Sequence, residues 1–197
     1  MATKIGRRVI VIGNSGSGKS TLGAQLAERT GRPFIELDAL HWEPNWTMAG
    51  DEIFRERVRE AMQPESWVMA GNYTRKQQDV SWPEADTIIW LDLPLATSMS
   101  RTIRRCWQRH QDQEDLWGTG NRENFWDHLK LWQTDESLIS YMLKTHRARR
   151  RLFESYTRDP QWSHITFIRL RSPEAVDRFF DRLRPLPIPR QATAPLS

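Results

Sequence analysis

The chain has 197 residues, with 29 Lys and Arg against 25 Asp and Glu, a formal charge of +4 and a sequence pI of about 9.6. That length suits one well-buried core and is short for two, and 10 Trp with 7 Phe supply large buried areas, which excludes a disordered chain. Cys106 is the single cysteine, so no internal disulfide and no cysteine-cluster metal site can form; this fits a reducing cytosol. With no apolar signal core and no apolar run long enough to span a bilayer, a cytoplasmic protein without a membrane partner is expected. The basic balance suits an anionic partner, whether nucleotide, nucleic acid or membrane surface, without choosing among them.

In chain order, residues 7–12 contain Val9-Ile10-Val11-Ile12, a β-branched run that reads as a strand buried on both faces. Glycines break it, and residues 21–29 then place Leu22 and Leu26 at helical spacing. Residues 33–37 read as a short strand ending at Asp38, and residues 51–62 as a helix with Ile53, Phe54, Val58 and Met62 on one side. Residues 67–70, 87–91 and 164–170 are further strands, the last followed by Ser172-Pro173-Glu174, a helix start with proline in its first turn. Strands alternating with helices predict an α/β, three-layer fold: a parallel five-stranded sheet with helices on both faces. Two segments fall outside this rhythm. Residues 39–50 form an aromatic-rich connection, and residues 111–122, polar with two glycines between helices, read as a lid. Substrates of such folds sit beyond the carboxyl ends of the strands, where insertions of this kind form lids and acceptor pockets. Residues 1–184 read as one domain and residues 185–197 as a flexible, proline-rich tail.

The break after the first strand is Gly13-Asn14-Ser15-Gly16-Ser17-Gly18-Lys19-Ser20, which matches G-x-x-x-x-G-K-[ST]. The glycines let backbone N–H groups turn inward around a phosphate, Lys19 reaches the β- and γ-phosphates, and the Ser20 hydroxyl is placed for Mg²⁺. The helix that follows, with Thr21 in its first turn, adds its positive amino end. Strand, loop and helix in this order make ATP with Mg²⁺ the expected ligand.

The order of the loop, the strand ending in Asp38, the Gly71-Asn72-Tyr73 turn and the Asp92-Leu93-Pro94 turn resembles the adenylate-kinase-like small kinases. More closely, Leu37-Asp38-Ala39-Leu40-His41-Trp42, Ala70-Gly71-Asn72-Tyr73 and Trp90-Leu91-Asp92-Leu93-Pro94 resemble the DNA topology modulation proteins, a FlaR-like bacterial family, over roughly residues 7–180. The resemblance implies a P-loop kinase fold with a helical lid. It further implies that Arg101 lies against the adenine and that Arg105, four residues on along one helix face, touches the transferring phosphates. Arg109 extends that face, while Met99, Ile103, Cys106 and Trp107 read as the core stripe. Asp38, beside the phosphate loop, accepts the acceptor's proton, holds Mg²⁺ through water, or caps the next turn. His41 is structural or touches the acceptor. Arg75 follows the third strand much as an acceptor-phosphate arginine does, displaced by one residue. Related sequences place Asp where this chain has Ala70, so either Asp38 carries the metal-related role alone or the chemistry is weak. Arg147, Arg149, Arg150 and Arg151 form a second basic cluster, on the phosphates or in solvent, and Trp42 and Trp46 are candidates for stacking on an acceptor ring or for core.

The resulting expectation is an ATP-dependent phosphotransferase acting on a small-molecule or nucleotide acceptor, with Lys19, Asp38 and Arg105 as the catalytic set. The alternative is an ATP-binding regulator associated with DNA topology, although the chain holds no DNA-reading motif.

Overall fold

A computed structural model describes residues 5–128 and 138–183 of the chain; the proline-rich tail lies outside them. The elements are β1 (Arg8–Gly13), α1 (Lys19–Thr30), β2 (Phe34–Glu36), α2 (Leu37–His41), β3 (Trp42–Glu43), β4 (Thr47–Met48), α3 (Asp51–Ala61), β5 (Trp67–Ala70), α4 (Thr74–Ser81), β6 (Thr87–Leu91), α5 (Leu95–Asp112), α6 (Phe125–His128), α7 (Leu138–Tyr156), β7 (Thr166–Leu170) and α8 (Pro173–Asp181). Five strands form one parallel sheet in the order β2-β5-β1-β6-β7. The predicted α/β, five-stranded architecture with helices on both faces is therefore what the chain adopts.

Alternation along β1 divides the core. Ile10 and Ile12 join Phe54, Met69, Trp90 and Phe153 on one face, while Val9 and Val11 join Leu22, Leu26, Val68 and Phe179 on the other. Both faces are covered, which is why β1 reads as an unbroken apolar run. Trp67, Trp82 and Trp90 are fully buried; truncating residues of that size costs about 3–5 kcal/mol each. Among the described residues no helix is long and apolar enough to cross a membrane.

Three expectations are corrected. Asp38 does not end a strand: β2 stops at Glu36, and Asp38 lies in the first turn of the short helix α2, because Leu37 is drawn fully into the core beside Gly71. Ile53 is 54% exposed, so α3 buries only Phe54 and Val58. On α5 the buried stripe is Ser98, Thr102 and Cys106, whereas Ile103 and Trp107 face outward. The cause is close approach: a Cβ on Gly16, whose φ is +72°, would lie 2.1 Å from the Ser98 carbonyl oxygen and 2.2 Å from Thr102 Oγ1. Only small side chains fit where α5 meets the phosphate loop.

Candidate active site

The chain leaves the sheet's central strand, β1, directly into the phosphate loop, and the crossover from β5 to β6 opens a crevice at that point. The first turn of α1 has no side-chain cap, so its N–H groups are left for an anion. Lys19, Ser20 and Thr21 line a cleft of about 1100 Å³ together with Ser15, Gly16 and Gly18. Gly13, Asn14 and Ser17 shape the loop from behind without lining the cleft: Ser17 N–H donates to Asn14 O at 3.1 Å. Burial lowers the Lys19 pKa from its ordinary value; Asp38 opposes the shift, and Arg105 and Arg149 reinforce it. A polyphosphate would supply the counter-charge that this crowded cation lacks.

The Gly71-Asn72-Tyr73 turn holds both sides of the cleft. Asn72 Oδ1 accepts from the Gly13 N–H at 3.1 Å, and its Nδ2 donates to the Gly13 carbonyl, so one side-chain amide grips the start of the phosphate loop at both backbone groups. The Tyr73 hydroxyl donates to Asp38 Oδ1 at 2.8 Å. Burial, and then the neighbouring Asp38 charge, push the phenol's pKa far up, so it stays a donor and fixes the carboxylate. Asp38 thereby lines the same cleft as Lys19 and Ser20. His41 lies outside it. Its ring is 1% exposed and packs on Tyr73, Phe54 and Trp42 at 4.4, 5.0 and 5.4 Å, and burial lowers its pKa, as fits a neutral structural imidazole.

The arginines separate. Arg105 lines the cleft, and its Nε is buried with no partner among the described residues. Arg101 lies instead along the outside of the loop, Nη1 donating to Ser17 O at 3.5 Å. Arg109 also lines the cleft but is bound to Glu114 at 3.2 Å and Glu123 at 3.6 Å. Of the second cluster, Arg149 alone lines the cleft, its guanidinium 5.4 Å from the centre of the Tyr141 ring; Arg150 pairs with Asp92 at 3.1 Å, and Arg147 and Arg151 are exposed. Arg75 is exposed on α4 and does not line the cleft.

Asp92 is a structural anchor. It is 6% exposed and takes two bonds from Arg169, at 2.7 and 2.9 Å, besides that from Arg150. This pins α7 to the sheet. One turn earlier on α7, His146 Nδ1 meets Asn14 Nδ2 at 2.9 Å, so α7 also braces the phosphate loop. Burial lowers the His146 pKa; Asp92 opposes this, and Arg150 and Arg147 add to it.

The far end of the cleft is aromatic. β3 and β4 pair as an antiparallel ribbon carrying Trp42 and Trp46, and the segment after α5 folds back through a bridge between Leu116 and Asn121, bringing Trp117 beside them. The predicted lid, residues 111–122, is thus the end of α5 followed by a hydrogen-bonded loop against the ribbon. Trp46 and Trp117 have φ of 55° and 59°. Bulky residues rarely adopt this left-handed backbone, which costs about 1–3 kcal/mol each.

Residues that fit Mg²⁺ are present: Ser20 and the oriented Asp38 share the cleft. No group of three or more His, Cys, Asp or Glu side chains gathers around a metal site among the described residues.

The model for the shikimate kinase family matches residues 15–117, more than half of the chain. The chain belongs to the shikimate kinase family. The matched stretch runs from the phosphate loop through α5 and includes Asp38, Asn72, Tyr73, Arg105 and Trp117. Shikimate kinases from Symbiobacterium thermophilum and Gloeobacter violaceus are 33% and 30% identical over 107 and 109 residues, or 47% and 49% of this chain. The chain spans 62% of the length of each of these relatives. In structure it is similar to a gluconokinase from Sinorhizobium meliloti 1021, with a TM-score of 0.49 at 18% identity, covering 91% of this chain and 90% of the other. The family matched is that of the shikimate kinases, not the DNA topology modulation proteins that the Gly71-Asn72-Tyr73 and Asp92-Leu93-Pro94 turns resemble.

Sequence reasoning singled out the phosphate loop, Asp38 and Arg105, which the fold brings to one cleft. It missed the gripping role of Asn72, the Tyr73 bond, the His146 brace and the place of Trp117. An asparagine immediately after the glycine of a strand-end turn was the one available signal, since that amide can replace a backbone partner.

Proposed function

We propose that the protein is a P-loop phosphotransferase that moves the γ-phosphoryl group of ATP to a hydroxyl of a small-molecule acceptor. The observation that carries this reading is the meeting, in one cleft, of the uncapped α1 amides, Lys19 and the Tyr73-oriented Asp38. In this reading, loop amides and Lys19 hold the β- and γ-phosphates, and Arg101 lies beside the nucleotide at the outer edge of the loop. The Asp38 carboxylate accepts the proton of the acceptor hydroxyl, the hydroxyl oxygen forms the new bond to the γ-phosphorus, and the bridging oxygen leaves with ADP. Arg105 and Arg149 neutralise charge on the transferring group, a role of positioning and electrostatics rather than covalent work. Mg²⁺, held by Ser20 and the phosphates, would supply further charge neutralisation. Closure of residues 111–122 over the cleft would exclude water and limit wasteful hydrolysis.

Family membership and the names of the relatives support a kinase and put shikimate among the acceptors to test. The reading includes a cytoplasmic location, in keeping with a single cysteine. The test is ADP formation from ATP and Mg²⁺ across a panel of shikimate, gluconate, nucleosides and nucleoside monophosphates. At least one acceptor should raise the rate well above the acceptor-free background. ATP binding with no stimulation by any acceptor would sink the reading and return weight to an ATP-binding regulator, whose mark would be steeply salt-dependent binding to long DNA.

A further inference from the structure

Three indoles at the acceptor end are neither core nor incidental surface. Trp67, Trp82 and Trp90 show what core tryptophans look like here, at 2% exposure or less, whereas Trp46 is 42% exposed and turned to the cleft. Trp42 and Trp46 meet edge to face at 5.5 Å, and Trp46 and Trp117 at 6.3 Å with an interplanar angle of 89°. These contacts bridge two segments far apart in sequence, the β3–β4 ribbon and the loop after α5. Asn121, only 3% exposed, fastens them: its Oδ1 accepts from the Trp46 N–H at 2.9 Å and its Nδ2 donates to the Glu43 carbonyl at 2.8 Å. Two of the three tryptophans are held in left-handed backbone, the kind of local strain that persists where surrounding structure over-determines a position and that clusters at ligand clamps.

Charge narrows what the clamp receives. Near the ribbon, Arg57 is bonded to Glu43 at 2.8 Å and to the Leu40 carbonyl at 3.1 Å, and Arg55 to Asp79 at 2.6 and 2.8 Å. Arg109 is held by Glu114 and Glu123, and the lining includes the carboxylates of Glu36 and Asp38. Among the described residues, Lys19, Arg105 and Arg149 belong to the phosphate side and Arg122 is exposed at the rim. With Arg55, Arg57 and Arg109 each bound to a carboxylate, the three indoles suit an uncharged flat ring.

We propose that Trp42, Trp46 and Trp117 clamp the acceptor by the face of an uncharged heteroaromatic ring, so that the acceptor is an alcohol of the nucleoside type, its hydroxyl directed to Asp38. The proposal rests on the phosphotransferase reading above and adds the substrate class. It also assigns Trp117 and Trp46 to one subsite although they lie on different segments.

The test compares kcat/KM for nucleosides, nucleoside monophosphates, shikimate and gluconate with ATP and Mg²⁺, in the wild-type chain and in Trp46→Ala, Trp117→Ala and the ring-retaining Trp46→Phe and Trp117→Phe. Stacking contacts of this kind predict a rise of roughly tenfold or more in acceptor KM for each alanine variant. The phenylalanine variants should lie close to wild type, and the KM for ATP should move far less. A nucleoside as best acceptor with that KM pattern supports the proposal. A higher kcat/KM for shikimate, gluconate or a monophosphate than for every nucleoside overturns it, as do alanine variants with unchanged acceptor KM. Turnover with shikimate or gluconate but with no nucleoside overturns the proposal and leaves the phosphotransferase reading standing, whereas ATP bound with no turnover on any acceptor sinks that reading and the proposal with it.

Discussion

The two ends of the cleft are built by different means. At the phosphate end the geometry comes from backbone: a glycine-rich loop, the free amides of α1, and side chains such as Asn72 and His146 that grip the loop from remote elements. At the acceptor end it comes from side chains in strained positions, Trp46 and Trp117, held by one buried amide, Asn121. Phosphate is one ligand with one shape, so a short backbone motif can serve it in many proteins. An acceptor varies, and its wall is assembled from whatever the connecting segments carry.

The largest effect that separates the two ends is expected from Lys19→Ala. It should weaken ATP binding roughly 100-fold or more, since in the proposed reading it removes the lysine that holds the phosphates, while acceptor binding is left nearly as it was. Calorimetric titration of each ligand would check this, and unchanged ATP affinity would break the assignment of the loop. Asn72→Ala should come next. It leaves the Gly13 N–H and carbonyl without their partner, at a cost of about 1–3 kcal/mol, visible as a lower Tm together with a higher KM for ATP. A lower Tm with unchanged KM would show that the grip serves the fold alone.

Tyr73→Phe addresses the junction of the two ends. Losing one bond to the Asp38 carboxylate should lower kcat about tenfold with little change in KM for ATP. Equal changes in both would make Tyr73 a packing residue. The smallest effect is a pH dependence. Burial lowers the pKa of both His41 and His146, so the unfolded chain binds protons more readily than the folded one around their ordinary value of 6.5. Their contribution to stability is therefore complete above 6.5 and is lost as pH falls through that value towards the folded pKa values. Tm should drop between pH 7.5 and 5.5, and His146→Asn should flatten part of the drop; an unaltered slope would show that His146 does not titrate with folding.

Legibility in the sequence followed the same division. Val9-Ile10-Val11-Ile12 announced a doubly covered strand because burial on both faces leaves no other pattern. The glycine spacing announced the phosphate loop because its chemistry is local. The stripe on α5 was misread since Ser98 and Thr102 are buried for their size, beneath Gly16, and hydrophobicity carries no record of that. Asp38 was placed at a strand end because the pull of the core on Leu37 is a tertiary effect. Trp117, in a polar stretch with glycines, gave no periodic signal at all. Its meaning comes from contact with Trp46, which no local window contains.

Cys106 has a practical consequence. Its thiol is buried, donates to Glu123 Oε1 at 3.1 Å, and is pushed up to about 12 by burial and by that carboxylate, so almost none of it is thiolate at neutral pH. Thiol-directed dyes and mild oxidants should pass the native chain by. A cysteine introduced at an exposed position of the ribbon, such as Thr47 in β4, would then be the single reactive handle on the molecule. A fluorophore attached there could follow the cleft in solution without any need to remove the native thiol first.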